Sequence, residues 1–360
     1  MDSKDVPGVT RIDDFGALPD GTPVPRYALS NGRGLRAEVI GLGGIVLRLW
    51  TPDRNGNPGN VLLGPADVGQ ILNKSPYFGA LIGRVGNRIG NAAFRLGDQS
   101  YTLAANDGPH SLHGGRVGYD KRLWTVEPQA GADGSAVLKL SLIDPAGTEG
   151  YPGTVRVEVV YTLTPANAWR IDYTATTDAP TPINLTQHAY FNLKDAGRSP
   201  VLDHVVTLFA QNYTPSDATL LPTGKIEPVR GTPLDYTQPR PIGQAFARLT
   251  NTPRGVDHNF VIDTEGTDLI GLRVAADVHE LTTGRRMTVA TTEPGIQFYT
   301  GNFLDNTLVG HDGFAYAQHT GFCLETQHYP NSVNVPAFPS TVLQPGTAYR
   351  STTEYRFAAE

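Results

Sequence analysis

Long stretches of this chain alternate apolar and polar residues with a period of two, and little helical periodicity competes with them. Val155, Val157, Val159, Tyr161 and Leu163 alternate with Arg156, Glu158, Thr162 and Thr164. Trp169, Ile171, Tyr173 and Ala175 alternate with Arg170, Asp172 and Thr174. Successive strand side chains point to opposite faces, so each run offers one apolar face and one wet face. The connection Thr164–Ala168 reads as a turn, and the two runs predict an antiparallel hairpin. Leu138, Leu140 and Leu142 add a third run, with Lys139 and Ser141 facing the other way. Further strands are expected within residues 37–50, 201–209, 272–277, 287–292 and 297–300. Only residues 67–73 and 241–249 read as short helices. The 40 glycines and 28 prolines are scattered between apolar runs, as many turns require. The expected fold class is all-β. Residues 23–360 form one large antiparallel β-sandwich, and residues 1–22 form an N-terminal arm that is either loose or an added edge strand. A chain of 360 residues fits this reading, because all-β domains often run past 200 residues as one unit.

Charge and composition narrow the partners. The formal net charge is -6 and no Lys/Arg run occurs, which argues against nucleic acid. No apolar run approaches a membrane span, so no membrane partner is expected. Charged residues make up only 18% of the chain, which points to recognition by neutral hydrogen-bonding groups, as for an uncharged polyol. Cys323 is the only cysteine, so no intrachain disulfide can form and a reducing compartment is favoured. Residues 1–20 lack a signal-peptide pattern. A cytoplasmic location is expected, with a periplasmic or secreted mature form left open.

Six motifs carry candidate chemistry. Gly83–Gly90 (GRVGNRIG) sets Arg84, Asn87 and Arg88 among glycines; forked arginine donors suit oxygen-rich ligands, or they pair with carboxylates around a solvated turn. Ser111–Arg116 (SLHGGR) places His113 before two glycines, either as a donor to a ligand or as a structural hydrogen bonder. It leads into Tyr119–Trp124, whose Trp124 reads as core. Asn184–Asn192 (NLTQHAYFN) carries His188 and Tyr190 on one face if extended, and Gln187 and Ala189 on the other. Imidazole titrates near neutral pH, so His188 is a candidate proton shuttle; the alternative is a satisfied core histidine. Asp257, in Arg254–Phe260 (RGVDHNF), either accepts ligand hydroxyls or caps a turn. In Glu293–Asn302 (EPGIQFYTGN), Gln297 and Tyr299 share a face, and Gln297 can both donate and accept. Glu325 stands in the apolar strand Gly321–Pro330 (GFCLETQHYP), where a carboxylate needs a partner. It is either a general base or half of a structural salt bridge.

Together these motifs resemble the aldose 1-epimerase family, in family order and across residues 35 to 355. The segments GRVGNRI, LHGG with GYDKRLW, NLTQHAYFNL, DHNF, PGIQFYTGN and GFCLETQHYPNSVN carry the resemblance. It implies a β-sandwich of the galactose mutarotase type and interconversion of the α and β anomers of free hexoses such as galactose and glucose, with no cofactor and no metal. It also implies that Glu325 is the general base and His188 the general acid. Arg88, His113, Asp257 and Gln297 would hold the sugar, with Asn87 and Tyr190 beside them. The expected partner is a small monosaccharide, and the protein is expected to be a monomer or weak homodimer. Gln187, Asn331 and Val333 depart from the family's usual asparagine, aspartate and proline, and none of these replaces a proposed catalytic group.

In the mechanism this implies, a base takes the proton from the C1 hydroxyl and an acid protonates the ring oxygen. The free aldehyde rotates about C1–C2 and recloses. Three other readings compete. One is a non-catalytic carbohydrate-binding module on the same fold. Another is a hexose-6-phosphate 1-epimerase, with Arg84 or Arg116 near the phosphate. The third is a metal site built from His113, His188 and Glu325.

Overall fold

The structure is a computed structural model and describes residues 6–131, 133–265 and 271–360. The predicted hairpin forms between Val155–Leu163 and Ala168–Thr177, in register from Val155 opposite Thr177 to Leu163 opposite Trp169. Ala136–Asp144 pairs along its outer side. These strands belong to a nine-stranded sheet that runs, in spatial order, Thr125–Ala130, Ala136–Asp144, Val155–Leu163, Ala168–Thr177, Tyr349–Ala359, Arg285–Thr291, Arg273–His279, Val205–Leu208 and Arg240–Pro241.

Two five-stranded sheets complete the body. One runs consecutively from Gly8–Ala17 to Pro58–Asn60. The other has the order Glu227–Pro228, Asn212–Thr214, Asp257–Val261, Gly295–Tyr299 and Cys323–Gln327. All ladders within these three sheets are antiparallel. Leu29, Val39 and Leu49 from the first share one contiguous core with Leu140, Val159 and Ile171 of the large sheet and with Phe260, Phe298 and Leu324 of the second. Each fully buried side chain of this kind contributes about 1.5–3 kcal/mol, so the period-two pattern commits these strands to facing one another.

Three details differ from the sequence expectations. Residues 37–50 form two strands, Arg36–Ile40 and Val46–Pro52, rather than one. Gly43 and Gly44 turn the chain between them at φ +65° and +56°, and a Cβ on Gly43 would lie 2.3 Å from the Asp120 carbonyl oxygen. Within 201–209 only Val205–Leu208 is a strand, because Val201–His204 closes a turn with a 3.0 Å backbone bond. The expected helix at 241–249 is a 3-10 helix, Ile242–Arg248, whereas Val68–Asn73 is α-helical with Asp67 accepting the Gln70 N–H as its cap. Gly8–Ala17 takes the edge-strand form, laddered to Pro23–Ser30.

The second five-stranded sheet positions the chemistry. Its core face carries Phe260, Ile296, Phe298 and Leu324. Its other face carries two polar rows across three strands: Asn259, Gln297 and Glu325 in one, and Asp257, Tyr299 and Cys323 in the next.

Candidate active site

Glu325 and Gln297 face each other on neighbouring strands, so their side chains rise side by side from the sheet. One strand further, Asp257 accepts a 2.6 Å hydrogen bond from Gln297 Nε2. Glu325 is only 2% exposed, yet its Oε2 has no hydrogen-bond partner among the described residues, nor does Gln297 Oε1. Gln327, next along the same face, also has both amide atoms unpartnered. Buried polar atoms are normally satisfied, so this cluster marks the face as one built for a ligand.

His188 arrives from a different part of the chain. Thr186–Gln187 pairs with Leu81–Ile82, and the next residue is pinned by His188 N–H to Ala80 O (2.9 Å) and Gly79 N–H to His188 O (3.0 Å). Gln187 points away from His188, toward the Tyr161 hydroxyl and the Gly79 carbonyl, as the alternation requires. His188 Nε2 comes to 3.7 Å from Glu325 Oε1. No Lys or Arg pairs with Glu325 among the described residues, so the structural salt bridge weighed from sequence is absent there.

His113 closes the third side. Its N–H donates to Asn87 O (3.0 Å), and the Asn87 N–H donates back to His113 Nδ1 (3.2 Å). The glycines that follow it are required by packing, because a Cβ on Gly114 would sit 2.0 Å from the Gly83 carbonyl oxygen. Asn87 also uses its Oδ1 to accept the Arg88 N–H. Arg88 Nε is held by Asp107 at 2.7 Å, and neither of its Nη groups is hydrogen-bonded among the described residues. Tyr190 is 2% exposed; its ring stacks on His188 at 5.1 Å and its hydroxyl donates to Pro76 O.

Two neighbours carried no warning in the sequence. Tyr77 packs on both histidines, with ring centroids 4.5 Å from His113 and 5.6 Å from His188. Asp107 anchors Arg88 from 19 residues away. Neither lies in a motif whose composition draws attention. Arg84 corrects an expectation. Its side chain is fully buried and bonded to Asp144, the Pro152 and Gly153 carbonyls and Thr181, so it is not available to bind a phosphate. Arg116 is exposed, and its backbone N–H is bound by Glu149.

Burial dominates the electrostatics. It pushes the Glu325 carboxyl well above the usual carboxylate range, with the Asp257 charge adding and Arg88 opposing. It lowers His188 to about 4. His113 is also held neutral, by burial and then by His188 and Arg88. Burial raises Asp257, with Arg88 and Gln297 opposing. Each member of the His188–Glu325 pair therefore favours its uncharged form, which places the pair's exchangeable proton on the carboxyl.

His113, His188 and Glu325 offer ligand atoms within 4.8 Å of one another. The His113 tautomer does not suit a metal. Its Nδ1 accepts a backbone N–H, so the neutral ring carries its hydrogen on Nε2 and has no bare nitrogen left to coordinate.

The sequence profile of the aldose 1-epimerase family matches residues 25–356. The chain belongs to this family. Among its relatives are a galactose mutarotase from Homo sapiens, 43% identical over 96% of this chain and 97% of that protein, and an aldose 1-epimerase from Escherichia coli K12, 35% identical over 95% and 97%. An aldose epimerase homologue from C. elegans has a TM-score of 0.82 at 28% identity, covering 91% of this chain and 96% of the other. A galactose 1-epimerase from Lactobacillus acidophilus shares the fold, with a TM-score of 0.83 at 23% identity over 98% of both chains. Family members are isomerases, and the all-β mutarotase-type sandwich is the fold of these neighbours.

Proposed function

We propose that this isomerase interconverts the α and β anomers of free aldohexoses, galactose among them, with Glu325 as base and His188 as acid. The approach of Glu325 Oε1 to His188 Nε2, 3.7 Å apart on a face of unsatisfied polar atoms, is the observation that carries this reading. Galactose enters through the relatives named galactose mutarotase at 43–44% identity.

Ionised Glu325 takes the C1 hydroxyl proton, the C1–O5 bond breaks, and protonated His188 delivers its Nε2 proton to the ring oxygen. The aldehyde turns about C1–C2. On reclosure Glu325 returns its proton to the carbonyl oxygen and His188 recovers one from the O5 hydroxyl, so the pair ends with the proton count it began with. Each positioned transfer contributes about 10²–10⁴ in rate. The acting form is imidazolium with carboxylate, although burial favours the neutral pair. That bias makes the imidazolium a strong acid and the carboxylate a strong base when they form.

His113, with its hydrogen fixed on Nε2, donates to a sugar oxygen. The uncommitted Arg88 Nη groups do the same as charge develops there. Asp257 and Gln297 accept and donate to ring hydroxyls. Asn87 locks His113, and Tyr190 supports the His188 ring from below. The buried, unpaired Cys323 thiol supports a reducing compartment such as the cytoplasm. No helix among the described residues is long and apolar enough to cross a membrane.

The test is polarimetry on fresh α-galactose and α-glucose. The protein should speed the approach to equilibrium, and Glu325→Gln should lose most of that effect. Near-normal conversion by the variant would remove Glu325 from its role. The full commitment of Arg84 argues against a hexose-6-phosphate substrate, so glucose should be preferred over its 6-phosphate.

A further inference from the structure

The only cysteine of the chain lies against the proposed acid. Cys323 and Glu325 are two residues apart on one strand and point to the same face. They bracket one imidazole: Cys323 Sγ lies 3.6 Å from His188 Nδ1, and Glu325 Oε1 lies 3.7 Å from Nε2. For sulfur, with its larger radius, that separation is a hydrogen-bond contact. Aromatic rings enclose the rest of the imidazole: Tyr190 stacks on it at 5.1 Å, Tyr77 tilts across it at 5.6 Å, and His113 meets it edge-on at 5.1 Å.

His113 shows the opposite arrangement. A backbone N–H can only donate, so with the Asn87 N–H at Nδ1 the single ring hydrogen of neutral His113 is held on Nε2. That ring is a permanent donor. A thiol can accept as well as donate, so the ring above Cys323 can keep its hydrogen on Nδ1.

We propose that Cys323 is a positioning residue: its sulfur accepts the Nδ1 hydrogen of His188 and so leaves Nε2 as the one nitrogen that exchanges a proton with the sugar's ring oxygen. This rests on the reading of His188 as the acid. Ring opening takes the proton from Nε2. With Nδ1–H retained, the neutral imidazole then presents its lone pair at Nε2 to the new O5 hydroxyl, ready to take the proton back on reclosure. With the hydrogen on Nε2 instead, reclosure would have no acceptor at that nitrogen. A sulfur partner also preserves acid strength. A carboxylate at Nδ1 would stabilise the imidazolium and weaken it as an acid toward an ether oxygen, which is a poor base. The thiol stays protonated, since burial and then the Glu325 and Asp257 charges push it up. The titratable groups facing His188 are Glu325 and Cys323 on the strand below, His113 and Tyr77 on the flanking loops, and Tyr190 on its own segment. None of them places an anion at Nδ1.

The test uses Cys323→Ala and Cys323→Ser in the full chain, with kcat and KM measured by polarimetry and with ¹⁵N-histidine NMR of the ring nitrogens. Wild-type His188 should show hydrogen on Nδ1 in its neutral form. Cys323→Ala should lower kcat about tenfold with KM within about twofold, and serine, which keeps an acceptor, should restore most of the loss. Hydrogen found on Nε2 of neutral His188 would overturn the proposal. So would an alanine variant with kcat within about twofold of wild type, or alanine and serine variants that lose activity together in step with their melting temperatures. If His188→Asn retains activity, it is the acid assignment that has failed. If His188→Asn is inactive and Cys323→Ala is normal, only the role of Cys323 has failed.

Discussion

Two acid–base pairs among the described residues have both partners buried, Arg84–Asp144 and His188–Glu325, and they are finished to different degrees. Arg84 and Asp144 meet at 2.7 Å; the arginine is further bonded to two carbonyls and Thr181, and Asp144 Oδ2 also accepts the Tyr119 hydroxyl, while Oδ1 has no hydrogen bond among the described residues but lies 3.5 Å from the Arg122 guanidinium. His188 and Glu325 stand 3.7 Å apart, and one carboxylate oxygen has no partner among the described residues. Both pairs are withdrawn from water. A directly bonded pair holds loops together, because losing either partner strands the other charge. A pair whose partners do not bond each other costs stability and keeps capacity to bond something else. Burial alone therefore does not separate a structural pair from a chemical one; direct hydrogen bonds between the partners, and a second cation beside the carboxylate, do.

Glu325→Gln tests that contrast with the largest effect. Its kcat should fall about 10²–10⁴-fold, while the melting temperature stays level or rises, because the variant removes an ill-satisfied acid. A large drop in melting temperature would place Glu325 in the same structural class as Asp144. Asp144→Asn should do the reverse. Chemical denaturation should report a loss of about 3–5 kcal/mol, with kcat per folded molecule little changed. Preserved stability would show that the Arg84 network is not the structural pair its bonding indicates.

The pH profile sharpens the comparison further. The His188–Glu325 pair works while it shares one exchangeable proton. A second proton enters at His188, which burial lowers to about 4, so activity should rise with pH through that region rather than near 6.5. The alkaline limb, set by loss of the proton from Glu325, should lie well above the ordinary carboxylate range. His188→Asn should erase the acid limb along with most of kcat. Stability has its own sign. Unfolded imidazoles bind protons between about 4 and 6.5 while His188, His204 and His258 in the folded chain do not, so stability should be lost as pH falls through that window. Melting curves that ignore pH there would contradict the burial of these rings.

The smallest expected effect belongs to Arg88. Arg88→Lys keeps the charge but loses the fork, so KM should rise about five- to tenfold with a smaller change in kcat. An unchanged KM would mean that Asp107 saturates Arg88 much as Asp144 saturates Arg84.

Arg84 and Arg88 also show how far local sequence reaches. They stand four residues apart in one glycine-rich motif and look interchangeable there. Only the fold delivers Asp144, Pro152 and Thr181 to the first and leaves the Nη groups of the second uncommitted. The strands were legible because alternation is a local property: Val155–Leu163 and Ala168–Thr177 could be read residue by residue. The break at Gly43 was less so, because the Asp120 carbonyl that leaves no room for a Cβ there comes from a distant segment. Tyr77 went unnoticed for the same reason, since its importance lies in two rings contributed by distant segments.

Alternation, turn residues and ordered polar motifs determined an all-β chain and the residues able to move protons, because each is written within a few neighbouring positions. Tertiary structure alone decided which of those groups meet, which nitrogen of each histidine faces inward, and which buried charges stay unpaired. Those outcomes depend on hydrogen-bond partners from remote strands and on the loss of water around them, and neither is encoded in any single stretch of sequence.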